Sequence, residues 1–232
     1  MPSPPDGRHA MTAVAIIVEY QTPDLLELCL ASLRRFAPAV KPMVVEGTEG
    51  AQAHANGIEW ARLKLSMSLS PPERVILLDT DCVIVSPLWY ETLTEGRFML
   101  IGGYWDRKGR AFLHANCLSM SWGLFSAVPS FQAQTGQQDT AWQATMRALE
   151  SQWLIRVVGS RPNGRVTEYV DGHGIMLWRH LGRGTSFRPR SWEREMLRKI
   201  AAKLGSPRAR KILSYQQDRQ EFLRKGWEIV RG

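Results

Sequence analysis

Arg74-Val75-Ile76-Leu77-Leu78-Asp79-Thr80-Asp81-Cys82-Val83-Ile84-Val85 decides how this chain is read. Its unbroken apolar residues, many of them β-branched, predict a strand buried on both faces, and two carboxylates then stand at its end. Ligands of open α/β sheets gather at that end of the strands. Residues i and i+2 of an extended segment project to one side, so Asp79 and Asp81 can share a cation while Thr80 points away. Carboxylate oxygens suit Mn²⁺ or Mg²⁺, which are commonly held together with the phosphates of a substrate. Charges between two apolar runs also need a partner, which argues against a solvated surface triplet.

Working outward from this strand, the chain alternates. Ala13–Val18 is a second apolar strand, and Thr22-Pro23 opens a helix whose stripe is Leu26, Cys29, Leu30 and Leu33. Pro42–Gly47 reads as a strand, and Ala55, Ile58, Ala61 and Leu65 mark a second helix. The order βαβαβ predicts parallel pairing, so Tyr20, Glu46 and Asp79 end up along one edge. After Asp81 the pattern becomes mixed. A short helix is expected over 87–93, strands over 98–103, 114–122, 153–158, 166–170 and 175–178, and a loop over 104–111. A Gln-rich loop over 132–138 precedes a helix opened by Asp139, a residue type favoured in the first turn.

The chain has 232 residues, with 44% hydrophobic and 22% charged, which predicts one globular domain. Residues 1–10 read as a flexible leader, 11–90 and 91–187 as two halves of that domain, and 188–232 as a basic helical tail. The three cysteines, Cys29, Cys82 and Cys117, have no paired spacing, so a disulfide framework is excluded and a reducing, cytoplasmic setting is expected. No run is apolar and long enough to read as a membrane span. The net charge is +8, and residues 188–232 hold 13 Lys/Arg and 5 Asp/Glu, leaving 17 of each for the body. Such segregation fits contact with nucleic acid or an anionic membrane surface, and equally a solvated tail. In the tail, Trp192, Met196, Leu197, Ile200 and Leu204 form a stripe that can dock on the body or lie on a membrane. Ser206-Pro207 starts a second, less amphipathic helix with Arg208, Arg210 and Lys211.

These segments resemble GT-A-fold glycosyltransferases of the family-2 type. The likeness rests on Ala15–Leu26 with Cys29–Leu33, on Val44-Val45-Glu46-Gly47, on Asn56–Ala61 and on Leu77–Asp81, in that order. It covers residues 13–90 well and 98–185 loosely. The resemblance implies a Rossmann-like, mixed but mainly parallel sheet flanked by helices. It implies a metal-dependent transfer of sugar from a nucleoside diphosphate sugar, UDP by preference, to a hydroxyl acceptor. Tyr20 and Glu46 would contact base and ribose, Asp79 the ribose or metal, and Asp81 the metal. His180 in His-x-Gly-x-Gly-Thr, or His173 in its place, would complete the metal shell. His54 and Asn56 would face the diphosphate, His54 otherwise capping its helix. Gln138-Asp139 stands where the family often has Glu-Asp, so Asp139 is the candidate base of an inverting reaction, with Asp106 and Asp171 in reserve.

Trp105, Trp122, Trp142 and Trp178 fall in the half expected to hold the acceptor, and indole stacks on sugars and nucleobases alike. The indoles therefore do not choose, and the neutral body with its basic tail permits a hydroxylated base or other group on DNA, a lipid-linked sugar at an anionic membrane, or a protein or small glycan. Two other classes stay open. A sugar-phosphate nucleotidyltransferase would want a Gly-rich loop where Glu19-Tyr20-Gln21-Thr22 stands, and a nucleic-acid-binding protein on a degenerate transferase fold would need neither metal nor donor.

Overall fold

The computed structural model describes residues 12–47, 52–107, 110–132, 140–163, 165–182, 199, 202–203 and 205–232. The leader, Asp139 with most of the Gln-rich loop, and the Trp192–Leu204 stripe lie outside the described residues. Strand β1 (Ala13–Glu19) is apolar almost throughout because helices cover both of its faces. Ala13, Ala15 and Ile17 share a core with α1 (Pro23–Phe36) and α3 (Leu88–Leu93). Val14, Ile16 and Val18 share the other with α2 (Ala53–Ser66), α4 (Trp122–Ala127) and α5 (Trp142–Glu150).

β1 pairs in parallel with β2 (Val40–Glu46) and β3 (Arg74–Leu78), so three strand ends do share an edge. β3 then pairs antiparallel with β6 (Arg110–Ser121), and β6 with β5 (Leu100–Arg107). β5 runs parallel to β7 (Ile155–Asn163), and β8 (Val166–Val170), β9 (Met176–Leu181) and β4 (Cys82–Ile84) follow antiparallel. The order is β2-β1-β3-β6-β5-β7-β8-β9-β4. Only Asp79-Thr80-Asp81 separates β3 from β4, yet they stand third and last in that order. The sheet has to curl back on itself for so short a link to close it.

That curl decides what the segments after the acid pair become. β3 ends before the acid pair, as expected, and the apolar run after it, Cys82–Ile84, leaves β3 to pair with β9. Residues 104–107 and 110–111, expected in a loop, are instead paired strand residues of β5 and β6. The helix α4, whose N-cap Ser121 accepts from Leu124 N, begins at Trp122, where the sequence predicts the last residue of a strand. The stripe of α1 is also wider than expected, since Leu25 and Leu28 are buried beside Cys29 and Leu33. Their cover is α6 (Pro207–Arg231), which packs Phe222 into Leu25, Leu28, Val83 and Leu181, with Leu223, Trp227 and Val230 around it. Among the described residues, no helix is long and apolar enough to cross a membrane.

Gly57 accounts for part of the Asn56-Gly57 pattern. A Cβ there would stand 2.8 Å from Val18 Cγ1, so α2 lies directly on β1. Ala gains roughly 1 kcal/mol over Gly inside a helix. The Val18 side chain is β-branched and stiff, so the clash outweighs that gain. Gly57→Ala is expected to destabilise the chain by about 1–2 kcal/mol, read as a lower urea midpoint at unchanged slope.

Candidate functional site

The site is built where β3 ends. The Asp79 amide donates to Asn116 O (2.9 Å) and Cys82 N donates to Asp79 O (3.1 Å), which folds Asp79–Cys82 into a turn. Thr80 points away, its hydroxyl 3.2 Å from that of buried Thr22 at the start of α1. The two carboxylates are left on the opposite side. Leu181 N donates to Asp81 O (3.0 Å), and the β4–β9 register sets Cys82 opposite His180. This cross-strand pairing brings in the histidine. His180 Nε2 lies 3.2 Å from Asp81 Oδ1 and 3.8 Å from Asp79 Oδ2.

Asp79, Asp81 and His180 each offer a ligand atom, all within 4.8 Å of one another. Two carboxylates and an imidazole are hard to borderline donors, so the set fits a divalent ion such as Mn²⁺ or Mg²⁺. Removal from water pushes the Asp79 carboxyl above its usual range; His54 opposes this, and the Asp81 charge adds to it. A bound cation would reverse that balance.

His54 approaches the other side of the same carboxylate. It sits in the first turn of α2, with Nε2 3.3 Å from Asp79 Oδ1 and Nδ1 3.4 Å from Thr140 Oγ1. His114 accepts from Asn116 N through Nδ1 (3.0 Å), and its ring is 5.6 Å from that of His180. Sequence spacing carried no sign of the His54–Asp79 and His114–His180 contacts, because each joins elements far apart in the chain. The buried thiols behind the turn are a further surprise. Cys82 donates to Asn116 O (3.1 Å) and Cys29 to Asp79 O (3.7 Å), and burial raises both thiols, so they stay protonated.

Tyr20 is half-buried just after β1, where Gln21 takes φ +53° and turns the chain into α1. A non-glycine residue held there costs roughly 1 kcal/mol. Glu46 is exposed at the end of β2, in register with Glu19. Asn56 is exposed and accepts from Gln132 Nε2 (3.1 Å). Asp106 lies on β5 opposite Ala111. Asp171 is occupied in its own turn, accepting from His173 N (2.9 Å) and Ile175 N (2.8 Å), and those bonds hold its carboxyl low. That turn opens β9 whereas His180 nears its end, so at ~3.3 Å per residue neither Asp171 nor His173 joins the acid pair. Of the tryptophans, Trp178 is core, stacked on Tyr169 at 4.4 Å. Trp142 stands edge-on to Phe112, and Trp122 packs on Phe125 beside a cavity of about 390 Å³ that Glu59, Arg62 and Leu63 also line.

No family model matches the chain, and no curated protein matches it. Solved structures do. A variant of Drosophila beta1,4-galactosyltransferase 7, in complex with manganese, UDP-Gal and xylobiose, is 13% identical, covering 80% of this chain and 79% of its own, with a TM-score of 0.50. The glycosyltransferase GlyE of Streptococcus pneumoniae TIGR4 is 14% identical over 63% of this chain, at a TM-score of 0.42. This chain spans only 45% of GlyE. The inositol-1-phosphate CTP transferase of T. maritima is 13% identical over 83% of this chain and 97% of its own, at 0.44. The curled mixed sheet, flanked by helices and ending in a C-terminal helix, is a GT-A-type fold.

Proposed function

We propose that the chain transfers a sugar from a nucleoside diphosphate sugar to a hydroxyl acceptor. The observation that carries this reading is the Asp79, Asp81 and His180 cluster at the edge where β1, β2 and β3 end. These three residues would hold Mn²⁺ or Mg²⁺. When bound, the ion supplies Lewis-acid stabilisation of the charge on the departing diphosphate. The manganese and UDP-Gal of the Drosophila enzyme favour Mn²⁺ and a UDP-sugar.

The remaining residues bind and orient. Exposed Glu46 accepts from ribose hydroxyls, and the Tyr20 ring packs on the base. The amides opening α2 face the diphosphate, with Asn56 beside them. His54 holds Asp79 in place through its Nε2, a positioning role. Asp139 accepts the acceptor's hydroxyl proton in an inverting displacement. Support for that assignment is its neighbour Thr140, which contacts His54. The acceptor is a glycan or a hydroxylated nucleobase. Three buried free thiols fit a reducing, cytoplasmic setting.

The test is release of nucleoside diphosphate from a panel of nucleotide sugars without acceptor. Release from one donor is expected with Mn²⁺ and its loss with chelator. Release of pyrophosphate from a nucleoside triphosphate and a sugar phosphate would instead make the chain a nucleotidyltransferase. Duplex binding with no turnover of any donor would make it a binding protein.

A further inference from the structure

We propose that Lys203 and the first three turns of α6 form an arm that contacts the phosphate backbone of a nucleic acid held at the catalytic edge. The placement follows from two contacts. Arg219 pairs with Asp24 near the start of α1, and Arg35 near the end of α1 donates to Val230 O near the end of α6. The two helices therefore run parallel and in step. Residues 207–217 extend past the start of α1, and at 1.5 Å per residue this overhang is about 17 Å. Because α1 begins where β1 ends, the overhang lies on the side of the sheet that carries Asp79 and Asp81.

Charge divides the helix at the same place. The docked half is balanced by pairs: Arg165 with Asp218, Arg219 with Asp24, and Arg224 and Lys225 with Glu221. Residues 196–217 hold six Lys/Arg and no Asp or Glu. Of these, Lys203, Arg210 and Lys211 are exposed, Arg210 giving one bond to Gly205 O (2.9 Å). With the body neutral, the positive excess of the chain lies in residues 188–232, and the overhang itself carries Arg208, Arg210 and Lys211 with no acid before Asp218.

A nucleic acid suits it better than a bilayer. Helices that lie on membranes present large apolar side chains beside their cations. Among the described residues, every exposed large hydrophobic lies outside 205–232. The overhang thus offers cations and polar groups such as Gln217 with no exposed apolar face behind them, which is the chemistry of phosphodiester contact. The inference rests on the transferase reading only for calling the adjoining edge catalytic.

The test measures binding alone, so it stands apart from any failure of donor turnover. The full chain carrying Lys203→Glu, Arg210→Glu and Lys211→Glu is compared with one carrying Arg34→Glu, Lys41→Glu and Lys64→Glu. The second set makes the same charge change at the opposite edge, where α1 and α2 end and β2 begins. The probe is a fluorescein-labelled DNA duplex of about 20 bp, followed by anisotropy from roughly 50 to 200 mM salt. The wild-type and control chains should bind with steep salt dependence. The arm variant should bind at least about tenfold more weakly, its log–log salt slope smaller by about 2 to 3. The Lys203→Gln, Arg210→Gln, Lys211→Gln chain should show a smaller loss, with the melting temperature unchanged. Equal loss in arm and control variants would overturn the proposal, as would no duplex binding by the wild type. Binding to phosphatidylglycerol vesicles but not to the duplex would assign the arm to membranes instead.

Discussion

Asp81→Ala is expected to lower metal-dependent release of nucleoside diphosphate by about a hundredfold or more, since the variant loses one carboxylate of the cluster and several kcal/mol of charge stabilisation with it. The side chain is nearly buried and meets His180 at 3.2 Å, so no neighbour can substitute for it. In chelator the outcome differs. Two carboxylates crowd one another there, and the Asp81 charge helps to raise Asp79. Removing it relieves that repulsion, so the variant should melt no lower than the wild type without metal. With Mn²⁺, the wild type should gain stability by mass action and the variant should not. Differential scanning fluorimetry with and without the ion reads both halves of the prediction. A variant that keeps its Mn²⁺-induced shift would exclude Asp81 as a ligand.

Phe222→Ala should cost about 3–5 kcal/mol, because the ring is 2% exposed in a pocket of Leu25, Leu28, Val83 and Leu181. α6 and α1 lie close enough here that a Cβ on Gly226 would reach 2.5 Å from Leu28 Cδ2, leaving little room for the pocket to collapse. Urea unfolding measures the loss, and a cost under about 1 kcal/mol would mean that α6 is not part of the folded core. Leu181 follows His180 directly and bonds to Asp81 O, so one residue separates the helix from the site. Removing the whole tail would bare this apolar layer and confound any test of acceptor use. The charge-reversed overhang avoids that, since none of its residues enters the pocket.

Local pattern carried the first half of the fold. Buried parallel strands must be apolar throughout, so β1 and β3 stood out, and Thr22-Pro23 marked the start of α1. Asp79 and Asp81 stood out for a related reason, as charges set at the end of a buried run. His180 came from a resemblance, and the β4–β9 register supplies its physical reason. The rest depended on distant partners. Val83–Val85 reads only as a second apolar run, because apolar periodicity does not say which strand a segment joins. Leu25 and Leu28 acquire meaning only with Phe222, nearly two hundred residues later. His54 looked like a residue for capping or diphosphate, and only the packing of α2 on β1 turns it onto Asp79.

The three-residue link between β3 and β4 also sets an order of events during synthesis. Asp79 and Asp81 leave the ribosome about a hundred residues before His180, an interval of roughly 5–20 s at ordinary elongation rates. Throughout that time β4 has no strand to pair with, because β9 does not yet exist. The acid pair is present early, but its imidazole arrives with the strand that completes the sheet. The ligand set is thus a late product of folding, and ion binding by a nascent chain would report that its last strand has docked.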